Sequence, residues 1–324
     1  MPVTTTVDKI NSKFKGKDIV SLRQFDPRSL DKLFKVTSKM AQIAKNAKHS
    51  DLLYGNIVTL LFYEPSSRTF GSFSASVKQL GGQTVEIINP LQFSSVSKGE
   101  TFEDTIRVFE AYCDLIVLRH PQKGAASNAA DAAKFVPVIN AGDGIGEHPT
   151  QALLDLYTIS EKFHKLDNLT GVFAGDMLYG RTVKSLLYGL SLFPNNTAYL
   201  LSPRELKLSK EDFNDFKQSG INLVEIENEK DIPKNAHFWY WTRTQKERFK
   251  TKEAYEKVKN QYILTKKLIS NRAGKDTILM HPLPRAGEIL TEVDDDPRSV
   301  YLRSEVRNGM YVRMALLALV LGKV

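Results

Sequence analysis

One cysteine, Cys113, occurs in 324 residues, so the chain can form no intramolecular disulfide and no cysteine-rich metal site. It precedes the apolar residues 115–118 and reads as core. Neither an H-E-x-x-H pattern nor a carboxylate cluster accompanies His148 or His281, so no metal is expected. The glycine-bounded Gly175-Asp176-Met177-Leu178-Tyr179-Gly180-Arg181 lacks both the G-x-G-x-x-G spacing and a Walker lysine, which excludes a nucleotide cofactor on motif grounds; none is expected. Apolar runs are short: residues 314–321, the most apolar stretch, fall far below bilayer length, and no membrane partner is expected. The first residues show no charged-then-apolar leader, which together with the lone thiol leads us to expect a cytoplasmic protein. Dense basic tracts are missing too. Lysine and arginine outnumber acids 45 to 37, a net +8, yet the largest cluster (Lys246, Arg248, Lys250, Lys252) lies in mixed charge and reads as solvated surface rather than a nucleic-acid face. Repeats and low-complexity tracts are absent.

What is present is ordinary globular composition, 42% hydrophobic and 25% charged, in a chain long enough for two cores. Residues 57–63 form an apolar, β-branched and aromatic run of buried-strand length, ended by Glu64-Pro65. Ser66-Ser67-Arg68-Thr69 then opens a segment with helical apolar spacing (Phe70, Phe73, Val77, Leu80) that stops at Gly81-Gly82 before a second strand, 84–88. This is a βαβ unit whose helix N-terminus combines unpaired N–H groups with three hydroxyls and a guanidinium, a combination suited to phosphate. Taken alone, Ser66 as a plain cap with Arg68 in solvent accounts for the same four residues.

The alternation continues. Asp26-Pro27 is an N-cap and first-turn proline before a helix, and Thr101 to Asp104 has capping-box spacing. Strands are predicted at 115–118, 136–139, 170–174, 198–201, 223–226, 238–241 and 277–280, with helices between them and a final helix from about Arg303. Strands alternating with helices predict α/β architecture: two doubly wound parallel-sheet domains, the pattern starting afresh near residue 170. In such sheets ligands lie at the carboxyl ends of strands. The strand-end residues here are Ser66 to Thr69, Arg119-His120-Pro121, His148-Pro149-Thr150-Gln151, Thr242-Arg243-Thr244-Gln245 and His281-Pro282-Leu283-Pro284-Arg285. His148 alone reads as a loop histidine capping the helix at Pro149; His281 reads as structural.

In that order and over the whole length, these five motifs resemble the aspartate carbamoyltransferases, and the last two separate that family from its ornithine-using relatives, which typically carry a cysteine at the position of Pro282. The resemblance implies transfer of the carbamoyl group from carbamoyl phosphate to the amine of L-aspartate, the second step of de novo pyrimidine biosynthesis. It implies a carbamoyl-phosphate domain of residues 1–149 plus 306–324, to which the C-terminal helix returns, and an aspartate domain of 150–305. Ser66, Ser67, Arg68, Thr69 and Ser95 would hold the phosphate; Arg119, His148 and Thr69 would polarise the carbonyl. Gln151 and the carbonyls of Pro282 and Leu283 would accept from the carbamoyl NH2, which arginine cannot do. Lys98, Arg181, Arg243, Gln245, Leu283 and Pro284 would take aspartate, guanidinium forks matching its carboxylates. Glu64 and Arg248, with Arg181, would lock closure. Ser67 stands where the family often has threonine, and the Ser94-to-Lys98 loop is one residue shorter than in some members, which leaves Ser94 as the alternative to Ser95 for the phosphate. The resemblance also implies a homotrimer whose neighbouring chain donates Ser95 and Lys98, and a cis Leu283-Pro284 bond. The rival class is a non-catalytic phosphate- or RNA-binding α/β protein, distinguished by salt-dependent nucleic-acid binding without carbamoyl transfer.

Overall fold

The apolar run at Ile57 forms strand β1 (Ile57–Phe62), buried along nearly all its length, as a strand covered by helices on both faces must be. The structure, a computed structural model, describes residues 8–324 apart from 48, 94–97, 250 and 260. β1 pairs in parallel with β2 (Gln83–Ile88) on one side and β3 (Leu115–His120) on the other, and β3 with β4 (Val138–Asp143). The order β2-β1-β3-β4 means that the chain leaves β1 in one direction and later returns to build the other. The crevice of such a sheet therefore opens beyond the ends of β1 and β3. Leu61, Tyr63, Ile116 and Leu118 pack with Ile106, Ala129 and Ala132 to make the core. The helix after β1, Ser67–Gln79, ends where Gly81 adopts a φ of +80°, and a Cβ there would stand 2.6 Å from the Ser50 carbonyl oxygen.

β4 runs four residues past its expected end at 139. Asn140 is fully buried, its amide donating to the Val20 carbonyl at 3.0 Å and its oxygen accepting from the Gly142 N–H at 2.7 Å, so polar residues stay within the strand. Cys113 is only half-buried, its thiol facing the Phe109 carbonyl at 3.2 Å.

A second parallel sheet holds β5 (Thr170–Ala174), β6 (Thr197–Leu201), β7 (Asn222–Ile226), β8 (Phe238–Trp241) and β9 (Ile278–Met280) in the order β7-β6-β5-β8-β9. Here the reversal falls between β5 and β8. Val172, Ala174, Trp239, Trp241 and Leu279 pack with Ile269 and Tyr301 into its core. The chain thus divides into Met1–Leu154 with Asn308–Val324, and Asp155–Arg307. The final helix, Ser304–Val320, supplies the return to the first unit, and each of its residues from Tyr311 onward is buried there. Two doubly wound parallel sheets are what the alternating pattern predicts, and a returning C-terminal helix is what the resemblance implies.

Candidate active site

In the first unit Ser66 occupies the N-cap of the Ser67–Gln79 helix without making a side-chain capping bond. Asp26 and Thr101, by contrast, cap their helices through their side chains. The plain-cap reading of Ser66 therefore does not hold, and the first-turn N–H groups keep their affinity for an anion. Thr69 is buried in that turn, while Ser67 and Arg68 face outward. Across the crevice, at the end of β3, buried Arg119 donates through Nη1 to the Ala141 carbonyl at 3.0 Å and pairs through Nη2 with Glu64 at 2.8 Å. Burial lowers the Arg119 pKa; Glu64 opposes that, and the charge of Arg68 adds to it. Two guanidiniums close enough to repel each other, beside an uncapped helix end, make a site that a dianion would stabilise.

His148 and Gln151 follow β4. The loop before them is held by Asp143, which accepts from the Glu147 N–H at 2.7 Å and the Gly124 N–H at 2.9 Å, and by Glu147, which accepts from the Ser21 hydroxyl at 2.6 Å and the Leu22 N–H at 2.8 Å. Burial raises the Glu147 pKa despite those bonds. Buried Arg313 donates to the Thr150 hydroxyl at 3.3 Å and to the Ser72 hydroxyl at 3.0 Å, with its guanidinium 5.3 Å from the centre of the Phe73 ring. The Thr150 hydroxyl lies 3.4 Å from His148 Nδ1 and holds that edge of the ring. An imidazole N–H donor suits a carbonyl oxygen becoming negative. Lys98 is exposed; Ser95 lies outside the described residues.

The second unit brings Arg181, Arg243 and Gln245 together at its own crevice, beyond β5 and β8. Gly175, at a φ of +113°, lets the chain pass the Thr242 carbonyl, which a Cβ would approach to 2.3 Å. Thr242 Oγ donates to the Ala174 carbonyl at 3.0 Å and accepts from the Asp176 N–H at 3.3 Å. Fully buried Asp176 accepts in turn from the Tyr179 N–H at 2.9 Å and the Gln245 N–H at 3.4 Å, and the Gln245 amide donates to the Tyr179 carbonyl at 2.8 Å. Burial raises the Asp176 pKa against these bonds and the nearby charges of Lys184 and Arg243. Arg248 follows in a short 3-10 turn, half-buried.

Beyond β9, the Leu283-Pro284 bond is cis and Leu283 has a φ of +53°. His281 holds this turn: its Nδ1 accepts from the Leu283 N–H at 2.7 Å, so Nε2 carries the proton donated to Glu288, also at 2.7 Å. Burial would raise the Glu288 pKa, but the His281 bond brings it below the usual value. Arg285 is engaged bidentately by Asp294, which also accepts from Tyr301 at 2.6 Å. Motif reading did not single out Asp176, Asp143, Glu147 or Arg313. Of these, Asp176 and Asp143 left a signal, each as an acid inside a glycine-bounded turn. Among the described residues no cluster of His, Cys, Asp or Glu could hold a metal, and no helix is long and apolar enough to cross a membrane.

Two parallel α/β units, each with cationic side chains at its sheet's reversal point, form an enzyme-like architecture that comparison makes specific. Residues 17–161 match the family model described as aspartate/ornithine carbamoyltransferase, carbamoyl-P binding domain, and residues 167–320 match the companion Asp/Orn binding domain. The chain is 45% identical over 311 residues to the chloroplastic aspartate carbamoyltransferase of Arabidopsis thaliana, covering 95% of this chain and 79% of that one. Among solved structures, the catalytic subunit of M. jannaschii aspartate transcarbamoylase superposes with a TM-score of 0.86 at 42% identity, over 93% of this chain and 97% of that one. The Trypanosoma cruzi aspartate transcarbamoylase, solved in complex with carbamoyl phosphate and aspartate, gives a TM-score of 0.87 at 36% identity, over 97% and 99% of the two chains. The chain belongs to the aspartate/ornithine carbamoyltransferase family.

Proposed function

We propose that the chain is an aspartate carbamoyltransferase: the amine of L-aspartate attacks the carbonyl carbon of carbamoyl phosphate, the C–O bond to phosphate breaks, and N-carbamoyl-L-aspartate and phosphate leave. The observation that carries this reading is the uncapped Ser66 helix end beside the Arg119–Glu64 pair, an anion site at a sheet reversal point, in a chain similar to one that binds both substrates. Ser66, Ser67, Arg68 and Thr69 hold the phosphate, each charge-assisted bond contributing about 1.5–3 kcal/mol. Arg119, Thr69 and the imidazole of His148 stabilise the oxyanion. Gln151 and the carbonyls of Pro282 and Leu283 accept from the carbamoyl NH2. Arg181, Arg243 and Gln245 take the aspartate carboxylates. The departing phosphate accepts the amine proton, so the protein positions and neutralises rather than supplying a base. The first unit is thus the carbamoyl-phosphate domain and the second the aspartate domain, with Glu64, Arg181 and Arg248 acting in closure.

The same reading includes a homotrimer in which a neighbour contributes Ser95 and Lys98, and a cytoplasmic location. A ring with heterologous contacts is testable by subunit mixing: reassembled Arg68→Ala and Lys98→Ala chains should regain about a quarter of parental activity. Recovery no greater than in either variant alone, with exchange verified by native mass spectrometry, would rule out shared sites. The activity itself is tested by colorimetric detection of ureido product with carbamoyl phosphate and either aspartate or ornithine. Product with aspartate alone is expected, because ornithine's cationic side chain would meet Arg243; product with ornithine alone refutes the assignment.

A further inference from the structure

Among the buried acids that the mechanism does not use, two lie side by side. Glu305, in the first turn of the Ser304–Val320 helix, is 2% exposed, and Asp155, on the Pro149–Phe163 helix, is fully buried. Glu305 Oε2 accepts from the His281 backbone N–H at 3.2 Å, at the root of the His281-Pro282-Leu283-Pro284 turn. Its Oε1 is enclosed and receives no N–H or O–H donor. Asp155 is near enough to raise the Glu305 pKa both through its charge and as a hydrogen-bonding neighbour. Two carboxylates are acceptors only, so a hydrogen bond between them requires a proton.

The surrounding elements agree. From β8, the Tyr240 hydroxyl donates to Asp155 Oδ2 at 2.8 Å, and Thr182 of the Arg181–Ser191 helix bonds to that tyrosine. From beyond β9 come the His281 N–H and, through the His281 ring, Glu288. The influences on Glu305 are burial and Asp155, which raise its pKa well above the ordinary value, and the His281 N–H, which opposes them.

We propose that Glu305 is a positioning residue: it holds the His281–Pro284 turn through the His281 N–H while sharing a proton with Asp155 at neutral pH. As the acid form, Glu305 can donate to Asp155 from the otherwise unpartnered Oε1 while Oε2 accepts from His281. Loss of that proton would leave two neighbouring negative carboxylates at the root of the His281–Pro284 turn. The positioning role rests on the carbamoyl-transfer reading; the shared proton does not.

Two variants separate the parts. Glu305→Gln replaces the acid with an amide that can donate to Asp155 and accept from His281 without titrating, and Glu305→Leu keeps the bulk but loses both bonds. Infrared difference spectra at pH 7 should show a protonated-carboxyl band in the parent that is absent from Glu305→Gln. Thermal melts give a second readout with a definite sign. The folded-state pKa of Glu305 lies above its ordinary 4.5, so the folded chain holds an extra proton between those values and loses stability as pH rises through that interval. Glu305→Gln escapes this loss, and its Tm relative to the parent should climb with each pH unit from about 5 upward. In turnover, Glu305→Gln should stay within about twofold of the parent, while Glu305→Leu, folded by circular dichroism, should lose roughly tenfold in kcat/KM from the missing His281 bond. No band difference, or a Tm gap independent of pH, overturns the shared proton. Parental kcat/KM in Glu305→Leu overturns the positioning role. A parent with no carbamoyl transfer would defeat the assigned activity, while the spectral and thermal arms would still decide the proton.

Discussion

The two sheets present ligand groups at equivalent places, the reversal point of strand order, but hold them by different means. In the first unit the groups are regular structure itself: an uncapped helix end and a strand-end arginine, Arg119, fixed by Ala141 and Glu64. In the second they sit on irregular turns kept in shape by buried acids, Asp176 beneath Tyr179 and Gln245 and Glu288 behind His281. A helix end is preformed for phosphate, whereas a turn fixed by side chains can place forks and amides at angles that a helix cannot. The difference matches the two chemistries proposed: one compact dianion, and one amino acid that must be told from its neighbours.

The comparison breaks most visibly at Arg68. Arg68→Ala should lower kcat about a thousandfold, at the upper end for one lost oxyanion or phosphate donor, while leaving Tm almost unchanged because the side chain faces outward. Steady-state rates and melts on one preparation test this, and a rate near the parent's would refute it. Arg243→Ala comes next: aspartate KM should rise by about a hundredfold, in line with a lost bidentate charge pair, and kcat should fall less. An unchanged aspartate KM would remove Arg243 from the pocket.

Asp176 sharpens the contrast because it touches no proposed substrate group directly. Asp176→Ala should raise aspartate KM roughly tenfold and destabilise the second unit by about 2 kcal/mol, since the Tyr179 and Gln245 N–H groups lose a buried acceptor. Asp176→Asn, which keeps an acceptor for the shorter Tyr179 bond but turns its NH2 toward the Gln245 N–H, should recover only part of both. Equal losses in Asn and Ala would show that the Tyr179 bond by itself does not hold the turn. The smallest effect is expected from Glu64→Gln. The Glu64 side chain is 35% exposed, so its pair with Arg119 is partly screened and kcat should change by no more than about threefold; a larger fall would make the pair central to catalysis.

The halves were also unequally legible in the sequence. Strands 170–174 and 238–241 fall where predicted, because short apolar runs between turn residues have few alternatives. β4 was truncated in the reading because Asn140 to Asp143 look like a loop; only the fold supplies Val20 as the partner that lets Asn140 stay buried. The Ser66–Thr69 site was legible because a local pattern, strand then hydroxyls then helix, contains most of the chemistry. Asp176 and Arg313 were not: the acceptor role of Asp176 depends on Gln245, far along the chain, and Arg313 reaches Ser72 and Thr150 from the last helix. Long-range partners leave no spacing to read.

The central claim is that the phosphate of carbamoyl phosphate is held by the first unit's groups and the aspartate carboxylates by the second's. Calorimetric titration of carbamoyl phosphate into the parent, Arg68→Ala and Arg243→Ala tests it most directly. The account predicts parental affinity in Arg243→Ala and loss of at least a hundredfold, about 2.7 kcal/mol, in Arg68→Ala. Equal weakening in both variants, or parental affinity in Arg68→Ala, would contradict it.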